Sequence, residues 1–595
     1  MSKRIPTKSE PDCTGIGRWF LWVIVAMVLG ALAVTAFKAK GQGLLGAGAL
    51  VVAGAQAIPT LLPQGPGTTS APPVLPGDCS GDTTPPIDVS DGYVVSTTGV
   101  TAAAGTVANP LGLLKVLDGT DSTINGAPAN RRKVYLRGGT YTGRFSVNLT
   151  GLSGNPWIFM PYPGERPVLN QNSTQNAVGV TTYHINFLSP SAFLTFRGIE
   201  FTDKDYVPNN TLGSGHDDSE DAQGGLNGYH GGIKVDDAND IVFENCVIHD
   251  QSGSGLLTGS TDSRNITIRG CLLYNIGVPG RNKHHGLYMF NRFYTFPSRH
   301  VIDGNIFIHC VAWPVQAYSS SYPVSGIYFT NNIFRDSGGT KGAVTLWDDR
   351  PVGNYSTDVR FVNNSLSWLT STHFFNFQNI ITTGIINSNY FQMRAGNFLL
   401  RSNYTGVTVK SNVFVGSSAT AIIASPTFAS WATMNPAFDW NTYKFSDANP
   451  FSVNGGDNSF ATWQSTTGDD ANSTISTSTT TGLEIRYYPN QLDTNLVYFA
   501  IFNQASLASV DIDLTPFWPS ACGTYSIKNA GNHQAAAVSS GAWTGQTAIA
   551  IAMNTQTYAN PAHGLGPSWT ESTTFFAGVA RRIRANATAA ETLFP

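Results

Sequence analysis

Charge is what this sequence has least of. Only 12% of its 595 residues are Asp, Glu, Lys or Arg, about half the roughly 25% of an ordinary globular chain. The 35 basic and 38 acidic residues leave a net charge of -3. No basic excess is available to neutralise a phosphate backbone, which argues against a dedicated nucleic-acid binder. Cysteine is scarce too. Cys13, Cys79, Cys246, Cys271, Cys310 and Cys522 show no C-x-x-C spacing. They therefore suggest no structural zinc site, and they are too few for a disulfide-built scaffold. What the chain does have is 61 Gly, 32 Pro and abundant Asn, Ser and Thr, the composition of a β- and turn-rich protein. A hydrophobic content of 41% excludes wholesale disorder. The length is too great for one compact core, so it implies several domains or a solenoid growing in one direction.

Residues 19–37 (WFLWVIVAMVLGALAVTAF) carry no charge. As a helix they span roughly 28 Å, enough for the hydrocarbon layer of a membrane. Lys3, Arg4, Lys8 and Arg18 precede the run, and Lys38 and Lys40 follow it. That balance favours a cytoplasmic tail (1–18), a transmembrane anchor (19–37) and export of everything downstream. A second apolar stretch, 43–62, contains Pro59 and the small-residue site Ala55-Gln56-Ala57. Cleavage there, or a second span forming a hairpin, are the alternatives. The rest of 38–91 is a linker rich in Pro, Gly, Ser and Thr.

The strongest signal is an internal repeat. IVFENCVIHD (from Ile241) aligns with ITIRGCLLYN (Ile266), HVIDGNIFIH (His300), IYFTNNIFRD (Ile327), VRFVNNSLSW (Val359), GIINSNYFQM (Gly384) and VTVKSNVFVG (Val407). Earlier copies are VYLRGGTYTG (Val134) and LTFRGIEFTD (Leu194). The third position is an apolar column: Leu136, Phe196, Phe243, Ile268, Ile302, Phe329, Phe361, Ile386, Val409. The eighth is another: Tyr141, Phe201, Ile248, Leu273, Phe307, Phe334, Leu366, Phe391, Phe414. Between them a turn position holds Cys246, Cys271, Asn305, Asn332, Asn364, Asn389 and Asn412, at steps of 23 to 34 residues. Such steps predict one coil each of a parallel β-helix over 92–416, whose coils bury their apolar edges only by stacking. Stacked Asn side chains would hydrogen-bond along the column. Cys246 and Cys271 would stack about 4.8 Å apart, as a disulfide or as a pair of reduced core thiols.

With these repeats in view, the chain resembles the pectate-lyase-like, right-handed parallel β-helix proteins, including uncharacterised secreted members. VYLRGGTYTG followed by PWIFMPYPGERPVL resembles their first coils, and KHHGLYMFN resembles a coil of those members. WNTYKFSDANPFSVNGGDNSFATWQSTTGDDANS resembles the tail that closes such solenoids, here within 417–481. The likeness spans roughly two-thirds of the sequence. It is specific for fold and not for reaction, because the fold hosts lyases, hydrolases, esterases and binding proteins. Beyond a polar hinge at 464–481, six or more short alternating runs in 482–585 suggest a small β-sandwich. That module resembles those appended to secreted carbohydrate-active enzymes. Trp518, Trp543 and Trp569 there suit either sugar stacking or core packing.

Each coil should hold one more strand: GIKVD, GLLTG, GLYMFN, PVQAY, AVTLW, FFNFQ and NFLLR. Alternation turns Ile233, Val235, Leu287, Met289, Val315, Ala317, Val344, Leu346, Phe375 and Phe377 inward. Lys234, Asp236, Tyr288, Phe290, Gln316, Tyr318, Thr345, Trp347, Asn376 and Gln378 then face out. Rings beside amides and carboxylates suit sugar faces and hydroxyls, and an ordinary solvated sheet face is the plain alternative. Of this row, Phe290, Gln316, Tyr318, Trp347, Asn376 and Gln378 are the candidate substrate-binding residues.

A polysaccharide lyase needs a base, a cation for the enolate and an acid for the leaving oxygen. His285 or Lys234 would be the base, Tyr288 the acid, and Arg281 or Lys283 the cation. His284 and Asp236 complete the candidate catalytic set. A hydrolase would use Asp236, Asp237 and Asp250, but the Asn-Thr-Asp and Arg-x-Lys patterns of polygalacturonases are not evident. The loop HDDSEDAQGG offers Asp217, Asp218, Glu220 and Asp221 as oxygen ligands, and the resemblance implies Ca2+, which assists lyases of this fold. The expected partner is a polysaccharide or cell-surface glycan, handled by an enzyme or by a non-catalytic adhesin or virion protein. Homo-oligomers are compatible with a parallel solenoid.

Overall fold

The computed structural model describes residues 88–584. Its internal exceptions are 126, 129, 172–181, 206–229, 259–262, 278–283, 290–297, 320–323, 336–343, 349–356, 369–372, 378–381, 394–396, 401–405, 417–421, 425–436, 454–455, 478–481 and 561–572. The expected anchor at 19–37 and the second apolar stretch lie outside the described residues. Among the described residues no helix is long and apolar enough to cross a membrane.

Three long sheets run the length of the solenoid, and from Lys133–Leu136 to Phe451–Val453 the chain visits them in rotation. Sheet A has 13 strands, from Gly92–Ser96 to Ala437–Asp439. Sheet B has 12, from Gly139–Thr142 to Thr474–Ser476, and sheet C has 12, from Phe145–Val147 to Gly456–Asn458. Pairing is parallel except for the final hairpin of sheet C. Each ten-residue repeat is an A strand, a turn and a B strand, and the additional strand of each coil is sheet C.

The register puts Phe196, Phe243, Ile268, Ile302, Phe329, Phe361, Ile386 and Val409 in one file, all buried. The eighth-position column stacks as expected from Tyr141 through Leu169 and Phe201 to Phe414. The first copy differs. Val134, not Leu136, aligns with Phe196, through Phe159. The cause is an additional rung, Trp157–Pro161 and Pro167–Asn170, between the two earliest copies. Its sheet A strand runs two residues further before turning, so Leu136 pairs with Pro161.

Ring stacking continues the core along the axis. Phe159 and Phe196 stack with nearly parallel rings 4.9 Å apart, as do Phe391 and Phe414. In the turn between sheets A and B, Asn305, Asn332, Asn364, Asn389, Asn412 and Asn441 form a buried ladder. Each Oδ1 accepts the backbone N–H of the rung before it, at 2.8–3.0 Å. Each Nδ2 donates to a carbonyl of the preceding sheet A strand. The residue ahead of each ladder position is left-handed, as in Asn331, Asn363 and Ser388. Cys246 and Cys271 begin the ladder as free thiols rather than a disulfide. The N–H of Cys246 donates to Cys271 Sγ at 3.4 Å.

Short helices plug the core at both ends. Leu113, Val116 and Leu117 of Leu113–Leu117 are buried at the first end. At the other end Trp463 of Phe460–Thr467 is buried and donates from Nε1 to Asp470 at 2.8 Å. Parallel pairing continues beyond residue 416 to Ser476. Residues of the expected hinge therefore form this helix end and the last strand of sheet B.

The C-terminal part is a five-stranded antiparallel sheet and a two-stranded ribbon around a shared core, rather than two matched sheets. Trp518 and Trp543 are buried in that core and give no sugar platform. Trp569 lies outside the described residues. The outer face of the five-stranded sheet packs on sheet B. Tyr498, Phe502, Phe575 and Val579 meet Leu272, Ile306, Ile308, Ile333 and Tyr390. Polar ties reinforce the apolar seam. Tyr498 Oη donates to the Gly270 carbonyl at 2.6 Å, and Arg486 donates to Asn363 Oδ1 at 2.6 Å. Arg335, buried, lies under the rings of Tyr558 and Phe575. The module thus covers sheet B.

Candidate functional site on sheet C

The register of sheet C decides which outward residues share a line. Asn186, Lys234, Leu257, Tyr288, Gln316, Thr345 and Asn376 form one column. Tyr318 and Trp347 pair in the column two residues further along the strands. Their inward neighbours Ile233, Val235, Leu287, Met289, Val315, Ala317 and Val344 are in the core. Leu346, Phe375 and Phe377 have side chains outside those described.

The strand Leu256–Thr258 lies between Lys234 and Tyr288. They are therefore two rungs apart, about 9–10 Å along the axis. Close approach between rungs is secured in the turn before sheet C. A Cβ on Gly255 would meet the Gly286 carbonyl oxygen at 2.7 Å, and one on Gly286 would meet that of Pro314 at 2.5 Å.

Lys234 Nζ is 2.7 Å from Asp236 Oδ2, and both are about one-fifth exposed. The same ammonium lies 4.9 Å from the ring centre of Tyr183. Tyr183 is a neighbour of this row that repeat counting overlooks, because its strand Thr182–Phe187 belongs to the coil hidden between the first two copies. The run TYHINF, with its alternating pattern, was the available signal. Tyr288 stacks on His285 at 5.6 Å and approaches Tyr318 at 6.5 Å. Burial, with a smaller contribution from Tyr318, pushes the Tyr288 phenol up to about 12, so it remains a proton donor. Gln316 is buried to 8% exposure and Tyr318 is partly open.

His284 and His285 are buried in the turn before the Tyr288 strand. Trp313, a second residue not singled out from sequence, packs 5.6 Å from the His285 ring. The His285 N–H donates to Ser254 Oγ at 3.2 Å. His285 is therefore buried against the rings of Tyr288 and Trp313. Trp347 and Asn376 are fixed here by backbone register alone. Arg281, Lys283, Phe290, Gln378 and the acidic loop Asp217, Asp218, Glu220 and Asp221 lie outside the described residues. Among the described residues no group of His, Cys, Asp and Glu could hold a metal ion.

The carboxylates suggested for hydrolysis do not gather. Asp236 follows sheet C, whereas Asp250 ends a sheet B strand and is 2.6 Å from His249 Nδ1. His249 Nε2 is 2.9 Å from Glu200, which also pairs with Arg166. Arg166 in turn donates to Gln534 of the C-terminal module at 2.7 Å. Burial alone would lower the His249 pKa, but its two carboxylate partners outweigh burial and raise it to about 9. These charges tie the module to the solenoid.

Residues 171–334 match the family model described as a right handed beta helix region. The fold is a right-handed parallel β-helix. No curated protein matches the sequence. Among solved structures the β-helix protein is similar to pectate lyase Pel9A, at 12% identity and TM-score 0.32, covering 62% of this chain and 78% of that one. A rhamnogalacturonan lyase is 13% identical, at TM-score 0.32, with 68% and 90% covered. PfbA, a surface adhesin of Streptococcus pneumoniae, is 11% identical, at TM-score 0.36, with 64% and 93% covered. The architecture rests on the strand register itself.

Proposed function

We propose that this β-helix protein binds and processes an acidic, uronate-containing polysaccharide along the outer face of sheet C. The observation that carries the reading is the column Lys234–Tyr288–Gln316–Asn376 with the Tyr318–Trp347 pair beside it. A flat ring takes a sugar face, amides take hydroxyls and Lys234 takes a carboxylate. Among the described residues the C-terminal module packs on sheet B, not on sheet C. In an elimination, the Asp236 carboxylate takes the proton from the ring carbon bearing the carboxyl group and the neighbouring C–O bond breaks. A C=C bond forms, and the leaving oxygen takes up a proton. Lys234, ion-paired with Asp236, acts as the charge that neutralises the carboxylate, and Tyr288 donates the proton to the leaving oxygen. Ca2+, where bound, would be held by Asp217, Asp218, Glu220 and Asp221. Residues 19–37 anchor the chain and the β-helix is exported.

Incubation with polygalacturonate, alginate and other uronate polymers, followed by absorbance of the unsaturated product, tests the chemistry. Turnover should fall at least tenfold in Lys234→Ala and Tyr288→Phe with thermal unfolding unchanged. Full activity in both variants would refute the assignment. A second reading, binding without turnover as in an adhesin, is favoured by the rung between Lys234 and Tyr288 and by the burial of His285. Retention on the polymers without product would establish it.

A further inference from the structure

One turn of the ladder departs from all the others. The residue ahead of the ladder position is left-handed in every rung, and elsewhere it is small or an amide: Asn245, Gly270, Gly304, Asn331, Asn363, Ser388 and Ser411. In the last such turn it is Trp440, at φ +59. A left-handed backbone is unfavourable for a bulky side chain, and such strain persists where the surroundings enforce it and function uses it. Packing offers no return, since Trp440 is 58% exposed.

The turn is firmly held. Asp439 Oδ1 accepts the N–H of Trp440 at 3.0 Å and that of Asn472 at 2.9 Å, while Oδ2 accepts from Asn472 Nδ2 at 3.0 Å. Lys410 pairs with Asp439 across the rung. Both alternate with the buried Val409 and Phe438, so Lys410 faces outward beside Asp439, the residue that precedes Trp440.

We propose that this corner between sheets A and B is a second contact for acidic polysaccharide. The Trp440 indole takes the face of a pyranose ring and Lys410 takes its carboxylate. The inference rests on the acidic-glycan reading above but uses a different corner of the solenoid from the sheet C row.

Affinity electrophoresis of the full chain through gels containing polygalacturonate or alginate provides the test. Trp440→Asn and Lys410→Ala should each weaken retardation by about threefold or more. Because Asn suits the left-handed turn, Trp440→Asn should keep or raise the melting temperature. Unchanged retardation in both variants would overturn the proposal, as would a melting temperature several degrees lower in Trp440→Asn, which would make the indole a packing element. If the wild type is retarded and only a Tyr288→Ala/Tyr318→Ala variant loses retardation, this proposal fails alone. If the wild type is retarded in neither gel, it fails together with the glycan reading.

Discussion

Replacing Asn364 by Ala probes the ladder directly. The side chain is fully buried. Its Oδ1 accepts the Asn332 N–H at 2.9 Å, and its Nδ2 donates to the Phe329 carbonyl at 3.0 Å. Ala fills neither role, so two buried backbone groups lose a partner. Each costs about 1–3 kcal/mol, for about 2–6 kcal/mol in all. Stabilities of folded proteins are commonly about 5–15 kcal/mol, so the loss would be plain in urea unfolding followed by far-UV circular dichroism. Asn364→Cys is the internal control, since Cys271 already fills a ladder position, its sulphur accepting at 3.4 Å. It should cost less than Ala. A loss below about 1 kcal/mol for Asn364→Ala, or Cys costing as much as Ala, would show that the ladder does not hold the rungs as described.

Other consequences are open to measurement. Tyr498→Phe deprives the Gly270 carbonyl of its donor in the module seam and should cost about 1–3 kcal/mol, read by thermal unfolding. Against burial, Asp250 and Glu200 hold the His249 imidazole up at about 9, from the usual 6.5. Its contribution to stability should be complete below about pH 6.5 and fade as pH rises through about 9. His249→Gln should flatten that alkaline limb of the melting-temperature profile, and an unchanged limb would contradict the assignment. Peptide mapping without reduction should find Cys246 and Cys271 as free thiols, and a bridged peptide would contradict the ladder chemistry at the first two rungs.

The fold was legible because a solenoid writes its core into the sequence at a fixed step. Phe243, Ile268 and Phe329 lie in one file because the same apolar position recurs in every coil. The turn asparagines recur because each must satisfy the backbone of its neighbour. Where a coil departs from the pattern, reading fails. The Trp157–Pro161 rung went uncounted, and with it Tyr183 and the correct alignment of Val134. The site was legible only as a row. Alternation separates inward from outward residues on sheet C, but it cannot count the rungs between Lys234 and Tyr288. Nor can it show that His285 is buried against Tyr288 and Trp313, because burial in a turn follows from loops that have no period. The docking of Tyr498 and Phe502 on sheet B was invisible for a related reason. Both partners read as ordinary apolar strands, and only tertiary contact shows which faces meet.

The central claim is that the row on sheet C meets the glycan. The most direct measurement is a crystal structure of the protein soaked with an oligogalacturonate. Sugar rings should lie across Tyr288 and Tyr318, with a carboxylate within hydrogen-bonding reach of Lys234 Nζ. Sugar bound elsewhere, with the sheet C face empty, would contradict the account.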